Sequence, residues 1–463
     1  MILLIFKDGI FMEKMHKQGK FGLSTTIAMI IGIVIGSGIF FKTPEIIKAT
    51  NGNILHGTIA FVLAALSIIF GGLTISQFTK KENGIGGLIA YAESAYGQKL
   101  AFYVGWFQTV IYYPSITAVV GWVAANYIFA LFGYPNLITQ GKFNIYIWPF
   151  TIVIIGFFFL LNIFKTRNAG IFQNISMYSK ITALIVFGIC GFLFGNPSYI
   201  AESVTLPSNT TNILVALVAI AFAFDGWMIA PAIAHEIKNP KKNLTKALII
   251  APTIIAGIYL LYYIGLSVFI PKEMVLSGVD PIGLLADKLF GSIGIKIIYI
   301  FVIISILGTL NGIILAFIRL PYALAIRNML PCSKALSKVN DKYDTPINSS
   351  LLALTLTAVY LLLHFLSLDG ALVYQISWFK GLEVDNLPIV ANFIFLIIVY
   401  WAILSNKVHT ENPWKAKFYA LSAIIGAGII IYAGFTKPGF NLYLTASILL
   451  TLAGRLTKLK KNV

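Results

Sequence analysis

Charge is what this chain has least of. Only 11% of its 463 residues are Asp, Glu, Lys or Arg, where soluble domains carry roughly 25%. Acidic residues are the scarcest, 17 against 34 basic ones, while 58% of the chain is hydrophobic. A soluble globule has no interior large enough for that many apolar side chains, which excludes the soluble classes and leaves an all-α polytopic membrane protein. Cysteine is nearly absent. Cys190 falls in an apolar run and Cys332 in a basic loop, so the two lie at different depths and no disulfide framework is expected. No GxxxxGK[ST] stretch occurs and no internal loop is long enough for a folded domain. Both absences argue against an ATP-driven pump and a receptor with a signalling domain. No His, Cys, Asp and Glu cluster has metal spacing and no nucleophile–base constellation is visible, so neither an enzyme nor a cofactor is expected.

What is there is a series of long apolar runs. A spanning helix needs about 20 mostly apolar residues, and the chain offers twelve candidates: 23–43, 54–78, 101–132, 146–164, 174–195, 212–236, 246–270, 294–320, 347–367, 386–404, 416–434 and 439–456. The stretch 368–386 reads as an external loop with an amphipathic piece. With both termini cytoplasmic, 25 of the 34 Lys and Arg residues fall in cytoplasmic segments and 8 in external ones, Lys42 among the latter. That bias sets the orientation and an even number of spans. It also explains the net charge of +17 without nucleic acid.

Two of the runs are built to break. The first contains "GIVIGSGIFF" (32–41), with Gly36, Ser37 and Gly38 near its middle, and the sixth contains "AFAFDGWM" (221–228), with Asp225-Gly226 at mid-depth. Glycine costs about 1 kcal/mol relative to alanine inside a helix, so its use here calls for a reason. One reason is close packing or a kink. The other is a cavity: unpaired backbone groups are tolerated in a membrane only where they line one. Free N–H groups at the start of a half-helix attract a carboxylate, and free carbonyls at the end of the opposing half attract an ammonium. Breaks five spans apart in corresponding positions point to two inverted halves with the substrate at the breaks.

Five stretches carry a family resemblance: "GSGIF" (36–40), "GIGGLIAYAESAYG" (84–97), "FAFDGW" (222–227), "EIKNPKKNLTKAL" (236–248) and "LGTLNGIILAFIRLPYALAIRNMLP" (307–331). In this order they resemble the amino acid–polyamine–organocation superfamily, and within it the L-amino-acid transporter family with its bacterial exchangers. The resemblance implies twelve helices in a 5+5 inverted-repeat, leucine-transporter-like fold with helices 1 and 6 unwound at the midplane. The expected units are a cytoplasmic tail (1–22), a first repeat (23–210), a second repeat (211–410) and a closing pair of helices with the cytoplasmic C-terminus (411–463). It further implies that Gly36, Ser37 and Gly38 bind a substrate carboxylate, and that the carbonyls of Val34, Phe222, Ala223 and Asp225 receive its ammonium. Phe222 would gate the site and Met228 would line a side-chain pocket, with Ser115, Thr117 and Ala118 contributed by the third span.

Lys180 sits about six residues inside the fifth run, and an intramembrane lysine is a functional signal. By the resemblance it stands where sodium-dependent relatives bind sodium, touching the first helix near Gly36 and the hydroxyls of Ser305 or Thr309. It is either a fixed structural cation or a proton-coupling site. Asp225 is either an N-cap for the outer half of the sixth helix or a contact for a cationic substrate. Glu93 reads as solvated, Arg327 as an interfacial anchor and His364 as interfacial. The family's heavy-chain cysteine has no counterpart in the loop after the third span, so no disulfide-linked partner is expected. The chain is expected in the cell membrane as a monomer or weak homo-oligomer. The function expected is sodium-independent exchange of neutral L-amino acids. The alternatives are proton-coupled uptake, transport of cationic amino acids or polyamines, and a non-transporting amino acid sensor.

Overall fold

The computed structural model describes residues 22–36, 38–79, 86–134, 146–204, 212–232, 234, 237–367, 384, 386–436 and 439–455. Most of the tail expected at 1–22, most of the loop expected at 368–386, and Ser37 lie outside the described residues.

The described residues are helical almost throughout, with one isolated bridge between Asn340 and Thr345. The helices that position the site are α1 (Leu23–Val34), α2 (Gly38–Ala49), α3 (Ile54–Thr79), α4 (Leu88–Tyr96), α5 (Gln98–Leu131), α6 (Ile147–Phe164), α7 (Thr166–Phe194), α8 (Ile213–Ala223), α9 (Ile229–Ala232) and α10 (Pro240–Phe269). They are followed by α11 (Pro281–Phe290), α12 (Gly294–Phe317), α13 (Leu320–Ala325), α14 (Ile347–Ser367), α15 (Asn386–Leu404), α16 (Pro413–Gly434) and α17 (Phe440–Ala453). Among the described residues nine helical stretches are long and apolar enough to cross a membrane. The pair α1 and α2 makes a tenth if taken as one span bent by 46°, and α8 and α17 are shorter apolar helices.

The surface agrees with the composition. Leu55, Ile59, Val62 and Leu66 on α3 and Val153, Phe157 and Leu160 on α6 are all exposed. A soluble monomer does not display apolar patches of that extent; in lipid they are at home. Inside, hydroxyls on helices turn back to carbonyls one turn earlier, as Thr43 does to Ile39 (2.6 Å), Thr117 to Tyr113 (2.7 Å) and Thr151 to Ile147 (2.9 Å). Each buried donor is thereby satisfied without a partner helix.

Helix pairs close on small residues. α7 crosses α10 where Gly191 faces Gly265, and a Cβ on Gly191 would stand 2.4 Å from the Gly265 backbone. Such backbone-to-backbone approach holds membrane helices together by dispersion, since lipid gives no hydrophobic drive between them. This crossing fixes α7, which carries Lys180, against the bundle that surrounds the two breaks.

Candidate functional site

Both glycine-containing runs are interrupted where the sequence places the interruption. α1 ends at Val34 and α2 begins at Gly38. α8 ends at Ala223, and a turn over Phe224–Met228 with Gly226 at φ +98° leads into α9. The two breaks lie against each other: a Cβ on Gly38 would come within 3.0 Å of the Ala223 Cα and of the Phe222 ring. Gly38 therefore lets α2 start in direct contact with the end of α8.

A small, partly open cavity lies at this junction. Val34, Gly36, Gly38, Phe222 and Asp225 line it from the breaks, and Thr309 from α12. Ala223 and Met228 are buried but are not among its lining residues, whereas Gly226 is. The third span also presents other residues than expected. Ser115, Thr117 and Ala118 are fully buried in helix packing, and Tyr112, Tyr113, Ile116 and Val120 face the cavity. The cause is local: residues 108–112 form a π-turn, which inserts one residue into the helical register and re-aims the side chains around it.

Tyr112, the last residue of that π-turn, reaches Asp225. Its hydroxyl lies 2.6 and 2.7 Å from the two carboxylate oxygens. Asp225 follows α8 in the chain and cannot cap the start of that half-helix; Asn212 does so, accepting from the Val215 N–H at 3.1 Å. The capping role expected of Asp225 is thus replaced by a tyrosine–carboxylate pair in the cavity wall.

A second tyrosine bridges the breaks. The Tyr259 hydroxyl, from α10, lies 3.1 Å from the Val34 carbonyl and 2.8 Å from the Ala223 carbonyl. Two of the four carbonyls expected to face a substrate ammonium therefore already share one phenolic proton. The Phe222 carbonyl accepts from the Asp225 N–H at 3.1 Å. Tyr112 and Tyr259 went unmarked in the sequence, since each is one aromatic among many in an apolar run.

Lys180 is fully buried and lies behind the first break, outside the cavity lining. Its ammonium donates to the carbonyls of Gly32 (2.6 Å) and Ile35 on the first span, and approaches the Ser305 carbonyl and the Thr309 hydroxyl on α12 at 3.5 Å each. Ser305 thus contributes its carbonyl where its hydroxyl was expected. Gly36 is required here, because a Cβ would stand 2.7 Å from the Thr309 hydroxyl oxygen. A cage of carbonyls and one hydroxyl is a cation site by its donor set, and the lysine supplies the cation from within the chain. The polar face of α7 continues away from it: Ser176 donates to the Ile304 carbonyl (2.8 Å), and Gln173 accepts from Asn311 (3.0 Å), which accepts in turn from Asn162 (2.9 Å).

Four other charged or titratable residues depart from expectation. Glu93 on α4 pairs with Arg327, just after α13, at 2.6 Å. His364 is buried against the edges of Trp122 and Trp148. Lys42, counted among external residues, is a buried residue of α2. Among the described residues no group of His, Cys, Asp and Glu could hold a metal ion.

Two broken helices meeting at one cavity inside a bundle of apolar helices define a membrane transport protein of the discontinuous-helix type. The chain belongs to the amino acid permease family, whose match covers residues 21–453. It is 28% identical over 445 residues to the serine/threonine exchanger SteT of Bacillus subtilis (strain 168), covering 94% of this chain and 95% of that protein. It is 24% identical over 424 residues to the methylthioribose transporter of the same organism (88% and 86% covered), and 26% identical over 366 residues to the cystine/glutamate transporter of Homo sapiens (77% and 72%). The family and these relatives are transporters and not enzymes.

Proposed function

We propose that this chain exchanges neutral L-amino acids across the cell membrane by alternating access, without sodium. The reading takes twelve spans in two inverted halves, 23–210 and 211–410, with both termini cytoplasmic and the breaks at the pivot. The observation that carries it is the junction itself. A zwitterion needs N–H groups for its carboxylate and carbonyls for its ammonium, and the facing ends of α2 and α8 offer both beside one cavity. Gly36, Ser37 and Gly38 take the carboxylate in this reading. The carbonyls of Val34, Phe222, Ala223 and Asp225 take the ammonium, which displaces or shares the Tyr259 proton. Phe222 closes over the substrate.

Neutral substrates are favoured because the Asp225 carboxylate is already engaged by Tyr112. Serine and threonine come first, after the relative that matches nearly the whole chain. Sodium independence is favoured because the Lys180 ammonium occupies the carbonyl cage. A proton-coupled variant rests on the same lysine, whose hydrogen-bond partners among the described residues are backbone carbonyls and one hydroxyl.

The test is uptake of labelled serine, threonine, leucine, arginine and putrescine into proteoliposomes, with and without internal amino acid, and with and without a pH gradient. Exchange requires internal amino acid and proceeds equally in sodium and choline buffers. Strong uptake into empty vesicles driven by external acid would replace exchange with symport. Binding without any uptake would make the chain a sensor.

A further inference from the structure

Lys42 is a buried charge that the proposed transport cycle does not use. It lies on α2, one helical turn beyond Gly38 and on the same face. Only 5% of its surface is exposed. The ammonium is held by the Glu45 carboxylate, 3.2 Å from each oxygen, and Glu45 is itself half exposed. The ammonium also sits over the Phe222 ring, 5.3 Å from its centroid. That ring rests at its other end on Gly38, where a Cβ would stand 3.0 Å from Cδ1 and 3.2 Å from Cε1. Phe222 is therefore laid along α2 between a residue with no side chain and a cation one turn further on.

A surface i,i+3 pair is worth little and needs no burial. A desolvated cation on an aromatic face is worth considerably more. Burial of Lys42 on this ring, at the wall of the cavity, goes beyond what a solubilising pair requires.

We propose that Lys42 is a positioning residue that holds the Phe222 ring across the cavity, so that the cation–ring contact sets how readily the site opens. The inference rests on the reading of the cavity as the substrate site. The ring has one well-defined resting place, against Gly38 and beneath the Lys42 ammonium. To leave the cavity wall it must give up the ammonium, and Glu45 then keeps the charge in place to receive the ring again.

The test reads access to the cavity and needs no transport. Ile116, which lines the cavity, is replaced by cysteine in a chain with Cys190 and Cys332 changed to alanine. The rate of maleimide labelling is then measured in proteoliposomes with reagent on both faces. Lys42→Met, which keeps the length and removes the charge, should raise the rate roughly tenfold. Lys42→Arg, which keeps a cation on the ring, should stay close to the parent. Phe222→Leu should raise the rate by a similar factor, and adding Lys42→Met to it should raise it no further, since both remove one contact. A parent-like rate in Lys42→Met, or effects of the two substitutions that multiply, would overturn the proposal. Should Lys42→Met not fold, Glu45→Gln takes its place: it should raise the labelling rate in the parent and leave it unchanged in the Phe222→Leu chain, and a parent-like rate in Glu45→Gln would overturn the proposal. Serine exchange measured in parallel separates the two readings, because a chain that moves no amino acid defeats the transport proposal while the labelling rates still decide the role of Lys42.

Discussion

Two phenols do at the level of single residues what an apolar sequence could not advertise. The Tyr112 hydroxyl engages both oxygens of Asp225, so the carboxylate in the cavity wall is not offered to a substrate cation. Hydrogen bonds to charged groups are worth about 1.5–3 kcal/mol, or between roughly tenfold and a hundredfold in affinity. Tyr112→Phe should therefore weaken exchange of neutral amino acids and strengthen competition by arginine relative to serine. An unchanged order of competitors would show that Asp225 does not face the substrate.

Lys180 works through backbone. Its substitution by alanine strands the buried carbonyls of Gly32 and Ile35 without their donor and unties the first span from α12. Since the ammonium lies outside the cavity lining, turnover should fall at least roughly tenfold, with a much smaller change in KM for serine. A loss confined to KM would place the lysine on the substrate instead.

Between elements, contact between the breaks depends on Gly38. Valine there would drive a branched side chain into the Ala223 backbone and the Phe222 ring, both already at 3.0 Å from the position of a first carbon. Gly38→Val should abolish serine exchange while the protein still elutes as a folded species in detergent. Normal exchange would move the binding site elsewhere. A different contact ties α4 to the segment after α13. Glu93 and Arg327 are 234 residues apart and less than a third exposed, and they pair at 2.6 Å. Values between those of surface and buried pairs apply, about 1–3 kcal/mol. Glu93→Gln and Arg327→Gln should each lower the melting temperature in detergent, and the charge-exchanged double variant should recover part of the loss. Equal stability in all four proteins would make the pair incidental.

For the molecule as a whole, the proposed orientation with both termini cytoplasmic rests on the unequal division of Lys and Arg between loops. Cys332 is exposed in a basic segment after α13, and Cys190 is half-buried within α7. A membrane-impermeant maleimide added to right-side-out cells should spare Cys332, and should label it in inverted vesicles. Labelling from outside would invert the assigned topology.

The apolar runs, the two interruptions and the buried lysine were legible in the chain because each is a local property. A run of about 20 apolar residues can satisfy its backbone in lipid only as a helix, and a glycine cluster or a charge within it is visible without knowing any neighbour. What occupies the breaks was not legible. Tyr259 reaches Val34 across 225 residues, Tyr112 reaches Asp225 across 113, and the aim of Tyr112 depends on a π-turn that leaves no periodic trace among apolar neighbours. Lys42 was counted with the external charges because a charge near the end of an apolar run ordinarily marks the interface; in the structure α2 packs into the bundle and buries it. By itself, then, the sequence determined where the long apolar helices lie, where two runs break and that a cation lies among them, since backbone hydrogen bonding and desolvation act within a segment. Only the tertiary structure decided which phenol meets which carboxylate and which carbonyls hold the lysine, because a partner for a buried polar group is supplied by whichever helix the packing brings alongside.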